Sequence, residues 1–327
     1  TEFLPLIMFA VVFALLLLGF PVAFTIGGVA MMFGLYGFGP GFFDLLPLRI
    51  WGTMENFSLM AVPLFIYMGV MLEKSGLAEE LLEAMALVFG RLRGGLAISV
   101  VFVGALMGAS SGIVGATVVT MGLLSVPTML RGGYNKSLTT GTVAASGTLG
   151  QIIPPSIVLV LLGEIMNVSV GDLFLAAIIP GLILVGLYML YILLVAQIKP
   201  EWAPPIDQDI LDQMTRKELL GKVFKALIPP LVLMLSVLGS IFAGIASPTE
   251  AASVGAVGAT ILTAMHRRFN YQIVKDVMNT TTKLTCMVFI ILVGASTLGL
   301  VFRGLGGDRL LRELILSLPF GKWGILF

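Results

Sequence analysis

The sequence predicts an all-α, polytopic membrane protein, and three features carry that reading: composition, the length of the apolar runs and the clumping of the charges. Hydrophobic residues make up 58% of the 327 and charged residues only 11%, whereas a soluble domain carries about 25% charge. A hydrocarbon slab of about 30 Å takes roughly 20 apolar residues of helix to cross, and the runs between the charge clumps are of that order. Inside such a slab the backbone must satisfy its own polar groups, which a helix does within one segment.

The first spans are expected at 3–19, 21–38 and 57–73. No Lys or Arg precedes Leu4 to Phe20 and a second apolar run follows at once, so the first run reads as a retained span, not a signal peptide. Residues 78–90 set Leu81, Leu82, Met85 and Phe89 on one face and Glu79, Glu80 and Glu83 on another. That amphipathic helix is expected to lie flat at the interface. Gly94 to Leu130 is apolar but interrupted by Gly108-Ala109-Ser110-Ser111-Gly112, and 138–166 is interrupted between Gly147 and Ser156, with Pro154 and Pro155 in succession. Two adjacent prolines remove amide donors and stop a helix. A span over 172–196 is followed by a polar connector, 200–225, with Asp207, Asp209 and Asp212. Spans resume at 226–245, 249–265 and 284–302. The connector and His266-Arg267-Arg268 are the candidate cytoplasmic loops. The chain opens at Thr1 and closes within Trp323 to Phe327, a new apolar stretch, so both ends read as cut.

An internal repeat organises these spans. A shift of 227 residues places Pro21 on Pro248 and Gly28 on Gly255, and a shift of 229 places Ser75 to Leu82 on Gly304 to Leu311. The first repeat then covers 1–200, the connector 200–225 and an incomplete second repeat 226–327. If Gly94 to Leu130 enters and leaves on one side, the first half holds five crossings, and an odd number inverts the second half. The repeat predicts a second hairpin and a second broken helix after Phe327.

Several classes of function are excluded. Net charge is +1 without a basic stripe, so nucleic acid is not an expected partner. There is no phosphate-binding loop and no His/Cys metal cluster, which leaves an ion gradient or a partner as the energy source. Gly108 to Gly112 matches the Gly-x-Ser-x-Gly pattern, but that chemistry needs a histidine base. The sole histidine, His266, lies beside two arginines and reads as solvated or headgroup-facing. An intramembrane serine protease centred on Ser110 is therefore the remote alternative. Cys286 cannot form an internal disulfide and reads as a small buried hydrophobe.

The spacing of Gly104, Gly108 and Gly112 fits close helix packing, yet two serines followed by glycine midway along an apolar stretch fit a re-entrant hairpin tip better. At such a tip carbonyls and hydroxyls face a cavity. The candidate sodium site is Ser110, Ser111 and Gly112 with Gly147, Thr148 and Gly150. Ser146, Pro154, Pro155 and Ser156 are candidates for substrate binding or gating. Two kinked helices without an ion remain the alternative. Ser247, Thr249 and Glu250, around Pro248, read as a helix cap, with coupling as the second reading. Glu164 and Asp172 read as interfacial.

The runs Arg91 to Ala97, Gly108 to Thr117 and Ala144 to Ser156 resemble the large membrane subunit, the DctM-type M subunit, of tripartite ATP-independent periplasmic (TRAP) transporters. Val62-Pro63-Leu64-Phe65 with Gly69, and Ser247 to Ala252, also look like that family. The resemblance implies an inverted-repeat, elevator-type secondary transporter of the bacterial inner membrane, not an enzyme. It would import organic acids with sodium as coupling ion and no other cofactor. Its partners would be a periplasmic substrate-binding protein, a small membrane subunit and the lipid bilayer. Within 1–200 it assigns scaffold helices to 1–75, an interfacial arm to 78–90, transport elements to 94–166 and a span to 172–196. The competing readings are an elevator carrier or antiporter that works without a binding protein, and a noncatalytic membrane scaffold.

Overall fold

A computed structural model of the chain describes residues 3–112, 114–206 and 216–317, and every regular element among them is helical. Asp207, Asp209 and Asp212 of the connector, and the closing stretch Trp323 to Phe327, lie outside the described residues. Two compact units result: Thr1–Asn56 with Lys283–Phe327, and Phe57–Thr282.

The first unit starts with α1 (Leu4–Leu17) and α2 (Val22–Phe38). A short 3-10 turn, Pro40–Leu45, leads into α3 (Leu46–Met54), which the apolar pattern had not marked. Met8, Val12, Val29, Ala30 and Phe42 pack with Val301 and Phe302 as its core. Backbones approach closely here, since a Cβ on Gly294 would sit 2.9 Å from the Ala23 carbonyl oxygen. Small residues are how helices in hydrocarbon gain van der Waals contact.

The second unit holds α4 (Ala61–Lys74), α5 (Leu77–Phe89), α6 (Gly95–Ser111), α7 (Val114–Arg131), α8 (Lys136–Thr148), α9 (Ile157–Met166), α10 (Val170–Ile198), α11 (Arg216–Phe242) and α12 (Pro248–Met265). The long helix α13 (Tyr271–Gly304) contributes its residues from Lys283 to the first unit, as does α14 (Gly307–Ser317). Phe57–Lys74, Val170–Ile198, Lys217–Phe242 and Tyr271–Gly304 are long and apolar enough to cross a membrane, and α1, α2, α6, α7 and α9 supply shorter apolar helices. Along α10, Leu175, Ile179, Leu182, Ile183 and Leu187 are exposed, the outward apolar face that a lipid-bathed helix presents. The chain is a multi-pass membrane protein.

Three expectations change. The apolar face of α5 is not left for lipid: Leu81, Leu82 and Met85 are buried and the helix packs on α6 and α11, while Glu79, Glu80 and Glu83 stay exposed. Lys222 on α11 donates to Glu83 at 3.0 Å. Cys286 is exposed on α13 instead of buried. His266 is not a solvated side chain: its Nδ1 sits 2.8 Å from the Leu262 carbonyl one turn back in α12, its Nε2 sits 3.6 Å from Glu80 of α5, and its side chain is 11% exposed.

Candidate ion and substrate site

The hairpin is formed by α6 and α7. Its first helix ends because Gly112 adopts φ +61°, a left-handed conformation that side chains resist, and donates its N–H to the Gly108 carbonyl at 2.8 Å. The second element starts with Asn135, whose Oδ1 accepts from the amides of Ser137 at 2.9 Å and Leu138 at 3.4 Å and so caps α8. Helix α8 stops at Thr148, tightens through the 3-10 turn Leu149–Gln151 and opens into an irregular stretch containing a cis Pro154–Pro155 bond. Ser156 restarts the chain as α9: its hydroxyl donates to the Gln151 carbonyl at 2.7 Å and accepts from the Leu159 amide at 3.5 Å.

These two elements meet through glycine. A Cβ on Gly108 would lie 2.7 Å from the Gly150 amide nitrogen, and a Cβ on Gly150 would lie 2.4 Å from the Gly108 carbonyl oxygen. One turn to either side the contact continues, with Gly104 against Ser146 and Gly112 against Ile157. Gly147 faces the other hairpin helix, where its Cβ would meet Val118 at 2.3 Å. The glycine row therefore packs as a helix interface, and that interface joins the hairpin end to the helix break.

The hydroxyls share one chemistry. Ser110 donates to the Met107 carbonyl at 2.7 Å, Ser146 to Val143 at 3.0 Å and Thr148 to Ala145 at 2.7 Å. Each proton is directed into its own helix, which leaves the oxygen lone pairs as acceptors, the form a hard cation requires. Ser110, Ser146 and Ser156 are buried, and Thr148 is exposed. The side chain of Ser111 lies outside the described residues. Ser247, Thr249 and Glu250 stand at the start of α12. The Ser247 amide donates to Glu250 at 2.8 Å and the Glu250 amide to Ser247 at 3.3 Å, a reciprocal capping box. Thr249 donates to the Phe57 carbonyl at 3.4 Å.

Sequence reasoning missed how the bases of these elements are tied. The Gly94 amide donates to the Ala203 carbonyl at 3.0 Å, the Asn135 amide to Trp202 at 3.0 Å, and the Ile206 amide to Gly90 at 2.9 Å. The buried Tyr134 adds a fourth tie by accepting the Leu96 amide at 3.2 Å. Pro204 and Pro205 were the available signal, since they fix an extended strap, but nothing in the sequence named its partners.

The sequence has relatives among known proteins. Residues 9–327 match the family described as tripartite ATP-independent periplasmic transporter, DctM component. The C4-dicarboxylate TRAP transporter large permease of Pseudomonas aeruginosa is 36% identical over 259 residues, covering 79% of this chain and 59% of that relative. The corresponding permease of Rhodobacter capsulatus is 29% identical over 336 residues, 98% of this chain and 74% of the relative. The ectoine TRAP transporter large permease of Halomonas elongata is 32% identical over 294 residues, 87% and 65% respectively.

Proposed function

The chain belongs to the DctM component family of tripartite ATP-independent periplasmic transporters, and from that premise we propose that it forms the membrane-embedded body of a large permease that imports organic acids with sodium. The observation that carries the reading is the backbone contact between Gly108 and Gly150. It makes the hairpin α6–α7 and the broken helix α8–α9 one packed body, with the acceptor oxygens of Ser110, Ser146 and Thr148 on its facing elements. Hard oxygen donors at a helix break suit a sodium ion. The amides that begin α9 suit the carboxylate of a substrate. C4-dicarboxylates and ectoine, named for the relatives, both carry that group.

The mechanism proposed is of the elevator type. The α6–α9 body would carry ion and substrate together, with sodium at the Ser110 and Thr148 turns neutralising the site before it moves. A periplasmic binding protein would deliver the substrate and a small membrane subunit would complete the permease in the bacterial inner membrane.

The test is uptake into proteoliposomes holding the full-length permease, its small membrane subunit and its binding protein, using radiolabelled C4-dicarboxylates, ectoine and other organic acids. An inward sodium gradient is expected to drive uptake of one of them, and Ser110→Ala and Thr148→Ala are expected to raise the sodium concentration needed. Equal uptake under a potassium gradient would overturn sodium coupling. Uptake without the binding protein would favour the self-sufficient elevator carrier.

A further inference from the structure

Glu73 lies in the last turn of α4, within the candidate membrane span Phe57–Lys74. A carboxylate there meets the negative end of the helix dipole, where positive charge is the stabilising partner. An ionisable side chain within a membrane span is also costly unless it faces a cavity or a compensating group. The structure gives Glu73 a cavity. Its carboxylate accepts a hydrogen bond from the Thr120 hydroxyl of α7, and Glu73, Gly69, Met107, Thr117 and Thr120 line a space of about 10 Å³. That is about the room one water-sized particle needs. Among the described residues, no Lys, Arg or His lines it.

Thr117 and Thr120 are three residues apart on α7 and share a face. Thr117 is buried and Glu73 half-buried. One carboxylate, two hydroxyls and a space for a single small particle describe a cation pocket. We propose that Glu73, Thr117 and Thr120 bind one sodium ion between α4 and the second helix of the hairpin, at a site separate from the Ser110 and Thr148 turns. The ion fastens α4 to α7.

The proposal is tested by equilibrium binding of radioactive sodium to the full-length permease in detergent, with choline maintaining ionic strength. Wild type is compared with Glu73→Gln, Thr120→Val and Ser110→Ala. Glu73→Gln is expected to lose one bound sodium per chain, or to raise the half-saturating concentration about tenfold or more, as removal of a charged ligand does. Thr120→Val shifts it in the same direction and serves alone if Glu73→Gln does not fold. The Glu73-dependent sodium is expected to persist in Ser110→Ala, so loss of the tip site and loss of this one are read separately. Unchanged stoichiometry and affinity in both Glu73→Gln and Thr120→Val would overturn the proposal. So would a Glu73-dependent sodium that vanishes in Ser110→Ala.

Discussion

Adding a single methyl group to Gly150 should do more damage than most substitutions of its size. The new Cβ would stand 2.4 Å from the Gly108 carbonyl oxygen and 2.6 Å from both its carbonyl carbon and its Cα. All three are backbone atoms, so no rotamer change relieves the clash. The hairpin must retreat from the broken helix by about 1 Å to restore ordinary contact in an interior packed like an organic crystal. Overpacking of this kind costs about 1–3 kcal/mol, and the upper end applies where backbone must move. Gly141→Ala in α8, the helix that leads into the Gly150 turn, is the control, because a Cβ there meets nothing within 4 Å. In mid-helix it should gain about 0.5–1 kcal/mol through the lower chain entropy of alanine. Thermal unfolding in detergent, followed by intrinsic fluorescence, is expected to place Gly150→Ala several degrees below wild type and Gly141→Ala at or above it. Equal midpoints for the two variants would refute the close contact and, with it, the single packed body on which the transport reading rests.

Two further outcomes are expected. Ser247→Ala removes the side-chain half of the capping box and should cost about 1 kcal/mol, seen as a lower unfolding midpoint. Tyr134→Phe leaves the Leu96 amide without its acceptor in a buried position and should cost about 1–2 kcal/mol at neutral pH. Burial pushes the Tyr134 phenol above its ordinary range, so the fold favours the neutral form. That stability is present in full below the unfolded value near 10 and is lost as pH rises through the raised one. The gap between wild type and Tyr134→Phe, measured by chemical unfolding, should therefore narrow at strongly alkaline pH; a constant gap would refute the assignment.

The helices were legible because apolar runs bounded by charge, glycine and proline survive as helices whatever surrounds them. What covers them was less legible. The pattern of Leu81, Leu82 and Met85 against Glu79 and Glu83 is the same whether lipid or protein lies on the apolar face, and here protein does. Cys286 was misplaced for a related reason. In a membrane helix hydrophobicity no longer separates inside from outside, so a cysteine in an apolar run carries no burial signal. Helix α13 begins at Tyr271, well before its apolar window, because helical backbone bonds do not need apolar side chains. The candidate site divides in the same way. The four-residue spacing of Gly104, Gly108 and Gly112 announced a packed face, but periodicity names a face and not its partner, so Gly150 was grouped as an ion ligand before its role as a contact was visible.

The strap at the base of the hairpin bears on how such a body could move. Gly90 and Gly94 flank the turn between α5 and α6, where a hinge would be sought first, yet both are bonded to the strap through Ile206 and Ala203. The next base, at Asn135, is bonded to Trp202 on the same strap. A displacement of the hairpin and the start of α8 that left Trp202 to Ile206 behind would break the Gly94 and Asn135 backbone hydrogen bonds together. Each broken bond between buried groups costs about 1–3 kcal/mol when its partners are left unsatisfied. A displacement that carries the strap along breaks none of them. Lys199, held 4.0 Å over the Trp202 ring, adds a cation–π contact between the end of α10 and the strap. Any movement of the hairpin that keeps these bonds therefore carries Trp202 to Ile206 with the bases of α6 and α8.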